Sequence, residues 1–191
     1  MKLLMDNYYQ DLYYRNNEFL FDKSQSFRTS ISWHIPTQEL IDELKKYSPI
    51  LSVCSGYAYT ESLMKENNID IIATDIEPNT KNTYCVKGKF FMDVEEIDGK
   101  DAVIKYSDRN VFLAWPPYDN NIAYEVVKAM NIDRFLIYIG ESEGGCTGND
   151  DFFEYLDSNF IEIKHNIPNP QWSGLHDYVY IYKKIKHIYN L

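Results

Sequence analysis

The sequence predicts an α/β fold built on a mainly parallel sheet covered on both faces, and three observations carry that expectation. Short apolar runs alternate with amphipathic stretches from residue 50 to residue 139, the pattern of βαβ units in series. A turn bearing one glycine, residues 54–58, follows the first run, and Asp75 closes the second. At the far end two strand-like stretches, residues 160–167 and 178–185, have no helical stretch between them. The last strand is therefore expected to return antiparallel to its predecessor.

Taken in order, residues 1–35 form an aromatic segment holding Tyr8, Tyr9, Tyr13, Tyr14, Phe19, Phe21 and Phe27. Its rings either dock the segment on the domain or make it a lid over a ligand. Pro36 and Thr37 open a helix through about residue 47, with Leu40, Ile41 and Leu44 on one face, and Ser48-Pro49 stops it. Residues 50–53 suit a buried parallel strand, residues 60–67 a helix and residues 70–74 the next strand. Residues 89–92 are expected as a third strand, 110–114 as a fourth, 120–130 as a helix and 134–139 as a fifth strand.

With 191 residues and 45% hydrophobic content, the chain suffices for one sizeable core, and one domain spanning 1–191 is expected. No apolar run approaches the roughly 18 to 20 residues that span a bilayer, so no membrane partner is expected. Cys54, Cys85 and Cys146 are scattered and odd in number, the pattern of free thiols in a reducing cytoplasm. A formal charge of −10 argues against nucleic acid and for a small-molecule or protein substrate. His34, His165, His176 and His187 show no metal-ligand spacing, and no metal is expected.

In an open parallel sheet, ligands bind beyond the carboxyl ends of the strands, where strand order reverses. Gly56 permits a positive φ or a close backbone approach, and Ala58 is small enough for the following helix to pack closely. Asp75, 19 positions after Gly56, is placed to accept both hydroxyls of a ribose. Asp93 and Val94 close the expected third strand on the same edge, and Trp115-Pro116-Pro117-Tyr118 follows the fourth. The two prolines fix φ and lack donors, forcing an extended exit at the sheet's rim.

These features make the chain resemble the class I S-adenosylmethionine-dependent methyltransferases. More narrowly it is similar to a group sharing Ile35-Pro36, the turn from Gly56 to Tyr59, Trp115-Pro116-Pro117-Tyr118, Ile139-Gly140-Glu141, Gly145-Cys146-Thr147 and Trp172-Ser173-Gly174-Leu175-His176-Asp177. The resemblance implies a three-layer Rossmann-like methyltransferase fold, a seven-stranded mainly parallel sheet with an antiparallel last strand. It implies S-adenosylmethionine as cofactor. Residues 52–58, with Ser52, Cys54 and Gly56, would wrap the methionine moiety. Asp75, with Ile76 beside it, would hold the ribose, Asp93 and Val94 would meet the adenine, and Ala114 and Trp115 would flank the sulfonium. Two positions depart from the pattern: Ser52 stands where an acid is common, and Cys54 where glycine is.

Tyr118, Glu141 and His176 are the candidate catalytic groups, with Asp177 or Glu141 placed to orient His176 as a base. Trp33, His34, Trp115, Tyr118 and Trp172 suggest an aromatic pocket for a planar or cationic group. Trp115 stands where amino methyltransferases carry the Asp or Asn oxygen that binds a target amine, which disfavours adenine or amide methylation. Residues 143–150 lack the Lys of a phosphate loop and are expected as a turn capped by Asn149 or Asp150. A catalytically silent protein on the same fold, binding a nucleoside or a protein partner, is the alternative. A nicotinamide enzyme is disfavoured, because residues 54–59 hold no Gly-x-Gly-x-x-Gly.

Overall fold

A computed structural model describes residues 1–14, 20–76, 89–164 and 167–186. Cys85, His165, His187 and Phe19 lie outside the described residues, as does the side chain of Phe21. The helices are α1 (Asn7–Tyr14), α2 (Leu20–Ser30), α3 (Gln38–Leu44), α4 (Tyr59–Glu66), α5 (Gly99–Lys105), α6 (Ile122–Ala129) and α7 (Asp150–Asn159). The strands are β1 (Ile50–Val53), β2 (Ile71–Asp75), β3 (Val94–Glu96), β4 (Asn110–Ala114), β5 (Phe135–Gly140), β6 (Phe160–Lys164) and β7 (Tyr178–Lys184).

The seven strands run in the order β3-β2-β1-β4-β5-β7-β6. β3, β2, β1, β4 and β5 pair in parallel, and β7 pairs antiparallel with both β5 and β6. The period of two along the central strands sorts their side chains between two apolar layers. Leu51, Val53, Val111 and Leu113 meet Ala102 and Val103 of α5, Val126 and Val127 of α6, and Phe152 and Leu156 of α7. Ile50, Phe112, Ile137 and Ile139 meet Leu40, Ile41 and Leu44 of α3 and Met64 of α4. Thr37 caps α3 by accepting from Leu40 N at 3.1 Å, and Asn149 caps α7 by accepting from Phe152 N at 3.2 Å.

The expected third strand is displaced. Residues 89–92 are not strand, because Phe91 N donates to the Tyr57 carbonyl at 3.0 Å instead of joining a ladder. Phe90 and Phe91 pack edge-on against Tyr57 and Tyr59, with ring centroids 5.6 and 4.7 Å apart. β3 begins at Val94 and pairs with Ala73 through Asp75 of β2. α5 is absent from the sequence reading. Asp98 caps it through Lys100 N and Asp101 N, and Gly99 admits it to the sheet: a Cβ there would stand 2.7 Å from Val53 Cγ1 and 2.8 Å from Ile122 Cδ1.

Lys184 at the end of β7 is buried and donates to the carbonyls of Val127, Lys128 and Met130 at 2.8, 3.0 and 2.8 Å. It thereby satisfies the carbonyls left without helical partners at the end of α6 and ties that helix to the sheet. Lys184→Met is expected to cost about 2 to 4 kcal/mol, since it removes a charged donor from buried acceptors. Urea unfolding would show this as a lowered midpoint with an unchanged slope.

A third apolar cluster fastens the N-terminal segment to the rest. Leu3, Met5, Leu12, Phe27 and Ile35 pack with Trp172 and Leu175 from the connection between β6 and β7. Leu3 bridges Thr37 antiparallel, and Tyr59 Oη donates to the Leu4 carbonyl at 3.0 Å. The rings of Phe27 and Trp172 are 5.6 Å apart. Among the described residues no helix is long and apolar enough to cross a membrane.

Candidate functional site

A cavity of about 890 Å³ opens at the carboxyl ends of β1, β2 and β4, where the strand order reverses. The turn after β1 forms its floor. Cys54, Gly56 and Ala58 all have positive φ, at 58°, 53° and 56°, so two non-glycine residues join the single glycine in left-handed backbone. That conformation costs on the order of 1 kcal/mol for each non-glycine residue. Bonds to β2 offset it: Ser55 N donates to the Thr74 carbonyl at 3.1 Å and Gly56 N to Asp75 Oδ2 at 2.9 Å.

Asp75 is buried, lines the cavity and anchors this turn. Ile76 lines it as well, 60% exposed. Asp93 and Val94 are not among the lining residues; Asp98 is. The cause is the displaced third strand, whose carboxyl end lies beyond Glu96 rather than at Asp93.

Ser52 is buried, and its hydroxyl donates to Glu61 Oε1 of α4 at 2.6 Å. A carboxyl is thus present beside the position where β1 lacks one. Thr60, Glu61 and Met64 are the buried residues of α4, so the sequence signal is a glutamate on a helix face that otherwise turns inward. Burial raises Glu61 to about 7, overcoming the opposing hydrogen bond from Ser52. His34 is also buried, with Nε2 3.1 Å from Thr60 Oγ1 and Nδ1 3.4 Å from Ser32 Oγ. Burial lowers His34 to about 4, so its imidazole is neutral at physiological pH.

The two shifts have opposite consequences for stability. Folding raises the Glu61 value from 4.5 to about 7, so the folded chain keeps a proton the unfolded chain has lost. Its contribution therefore declines as pH rises through that interval and is level above it. Folding lowers the His34 value from 6.5 to about 4, so that contribution rises over an overlapping interval. Glu61→Gln removes only the first. The stability of the unmodified protein relative to Glu61→Gln is expected to fall by about 1 kcal/mol per pH unit from about pH 4.5 to pH 7. A difference that stays constant in urea titrations across that range would show an ionised Glu61 throughout.

The opposite wall comes from α2, the segment after it, and the end of β4. Ala114 and Trp115 line the cavity, and Trp115 has φ 51°. Its ring lies 5.3 Å from that of Trp33, tilted by 32°, and its Nε1 donates to Asp177 Oδ2 at 3.3 Å. Arg28, also buried, sits 5.2 Å from the centroid of the Trp33 ring. Tyr118 stands at the mouth, 62% exposed. Trp172 does not line the cavity; it is buried behind the wall against Phe27 and Tyr13.

Glu141 and His176 also fall outside the lining. The Glu141 carboxylate accepts from Cys146 N at 2.8 Å, Cys146 Sγ at 2.9 Å and His176 N at 2.8 Å, which makes it a clasp for two loops. Burial pushes Glu141 up, but these hydrogen bonds outweigh it and hold its carboxyl below the ordinary value. Burial and the same carboxylate raise Cys146 to about 11, leaving it a thiol. The His176 side chain is 78% exposed, with Nδ1 3.8 Å from Glu141 Oε1. Among the described residues no group of three or more His, Cys, Asp or Glu is arranged to hold a metal.

No family model and no curated protein matches the sequence. Solved structures do match the fold. A methyltransferase from Anabaena variabilis described as S-adenosylmethionine-dependent superposes with a TM-score of 0.54 at 8% identity, over 96% of this chain and 97% of that one. The fold is that of the S-adenosylmethionine-dependent methyltransferases. A mutant of MtNAS in complex with S-adenosylmethionine gives a TM-score of 0.52 at 12% identity, over 93% of this chain and 70% of that one. Magnesium protoporphyrin IX methyltransferase from Synechocystis PCC 6803, with S-adenosylmethionine bound, gives 0.51 at 11% identity, over 95% of this chain and 98% of that one. On this methyltransferase fold the described cavity occupies the strand-end crevice.

Proposed function

We propose that the protein, as one domain, is an S-adenosylmethionine-dependent methyltransferase acting on a small-molecule or protein acceptor. The observation that carries this is the cavity at the reversal of strand order, floored by the Gly56 turn with Asp75 buried beside it. Its volume lies within the roughly 300–1,000 Å³ of small-molecule and cofactor sites. Its donor set suits a nucleoside with a charged tail. Bound S-adenosylmethionine would supply an electrophilic methyl group.

On this reading the turn at residues 54–58 holds the methionine end and Asp75 accepts from the ribose. Asp98 takes the adenine-side position expected for Asp93, and Ala114 and Trp115 border the reacting centre. Trp33, Trp115 and Tyr118 hold a planar acceptor in line with the methyl group, which is the main contribution an enzyme makes to a displacement. His34 is held uncharged by burial and hydrogen-bonded by hydroxyls at both nitrogens. An acceptor whose nucleophilic form is accessible near neutral pH without a strong base, such as a thiolate or an uncharged amine that has already given its proton to solvent, suits that wall.

Isothermal calorimetry with S-adenosylmethionine and S-adenosylhomocysteine tests the reading directly. No heat of binding at about millimolar ligand by a folded sample would end it. A nucleoside-binding protein without catalysis is the second reading, favoured by the position of Glu141 and His176 outside the cavity. Transfer of labelled methyl groups to any member of a thiol and amine panel decides against that alternative.

A further inference from the structure

Glu61 is a buried acid in the cavity wall, and no counter-charge for it is found among the described residues. It is 4% exposed and lines the cavity. Among the described residues its carboxyl is bonded by the Ser52 hydroxyl at 2.6 Å and by its own backbone N–H, and the charge acting on it is a second carboxylate, Asp75. The cations of the lining are engaged elsewhere: Lys100 pairs with Glu125 at 3.1 Å, and Arg28 lies over Trp33 and donates to Ser24 at 3.2 Å.

The donors around Glu61 are nevertheless arranged for an anion. Thr74 N donates to Ser55 Oγ at 3.2 Å, Ser55 Oγ donates to Ser52 Oγ at 2.9 Å, and Ser52 Oγ donates to Glu61. Each link polarises the next toward the carboxyl. A buried carboxyl so placed keeps its proton when alone and ionises when a cation joins it.

We propose that Glu61 receives the ammonium group of the bound ligand and releases its own proton when that group arrives. The inference rests on the cofactor reading above, in which the ammonium belongs to the methionine end lying on the turn beside Ser52. The protonated carboxyl and the ligand's ammonium become a carboxylate–ammonium pair, and one proton leaves for solvent. Around this site β2 presents Asp75, the segment before α3 presents His34, the turn after β1 presents Cys54, α2 presents Arg28, and the start of α5 presents Asp98 and Lys100. His34 and Cys54 are both held uncharged near neutral pH by burial.

Calorimetry in buffers of different ionisation enthalpy provides the test, with S-adenosylhomocysteine and 5′-methylthioadenosine, which lacks the amino-acid end, as probes. The unmodified protein is expected to favour S-adenosylhomocysteine by about tenfold or more. It is expected to release about half a proton per ligand near pH 7, and none with 5′-methylthioadenosine. Glu61→Gln is expected to bind 5′-methylthioadenosine unchanged while losing the preference and the proton release. The proton count on the unmodified protein needs no variant to fold. No proton release with S-adenosylhomocysteine, or an unchanged preference in a folded Glu61→Gln, overturns the proposal. Binding of neither probe by the unmodified protein overturns the cofactor reading and the inference with it.

Discussion

Replacing Asp75 with alanine is expected to weaken S-adenosylhomocysteine binding by about a hundredfold or more while leaving the protein folded. The carboxylate has two duties in the proposed site. It accepts Gly56 N at 2.9 Å, which holds the turn against β2, and it faces the cavity where a ribose would present its hydroxyls. A hydrogen bond to a charged group is worth about 1.5 to 3 kcal/mol, so losing an acceptor that serves both turn and ligand amounts to two or more decades of affinity. Asp75→Asn keeps one acceptor oxygen and is expected to fall between. Calorimetry gives the affinities, and near-ultraviolet circular dichroism monitors the fold. An affinity within threefold of the unmodified protein in Asp75→Ala would remove Asp75 from the binding site.

Phe27→Ala is expected to destabilise the N-terminal segment by about 3 to 5 kcal/mol, the usual cost of emptying a buried aromatic site. Phe27 is fully buried and packs against Tyr9, Tyr59 and Trp172, with ring centroids 4.9, 6.4 and 5.6 Å away. Residues 31–34 of the cavity wall follow it directly. Hydrogen exchange is expected to lose protection over residues 24–37 while β1, β4 and β5 keep theirs, because local opening follows the cluster that is damaged. Trp33, Trp115 and Trp172 all belong to this region. Intrinsic fluorescence therefore reports the wall itself, and its emission should shift to the red in the variant. Unaltered protection over residues 31–37 would mean that the wall is held by the sheet alone.

The centre of the sheet was legible because β1, β4 and β5 are buried on both faces. Residues 50–53 and 110–114 read as apolar runs and are β1 and β4 at those bounds, and the helix-free end produced the antiparallel β7 that was expected. The third strand was misread because Phe90 and Phe91 have strand-like composition but spend it on the rings of Tyr57 and Tyr59. α5 is short and starts on a glycine, so its propensity is weak, and its reason for existing is the close approach at Gly99. Side-chain partnership was the least legible level. Ser52 raised the question of a missing acid, yet only the packing of α4 on β1 brings Glu61 to it. Glu141 read as a reactive group because it closes a strand at the rim. Its carboxylate instead holds Cys146 and His176.

The third apolar cluster also has a consequence for biosynthesis. It joins Leu3, Leu12 and Phe27 to Trp172 and Leu175, so contacts that complete the cavity wall span nearly the whole chain. A ribosome delivers the floor of the cavity, the turn after β1 and the end of β2, about a hundred residues before it delivers Trp172. Contacts of such separation form late. During translation the N-terminal segment must wait without its partner, with Phe27 and Ile35 uncovered, and the nascent chain presents to chaperones apolar side chains that the finished molecule buries. Ligand-binding competence is then the last property the chain acquires, and a pulse of synthesis halted before residue 172 would yield the parallel strands β1 to β5 without β7 and without a closed site.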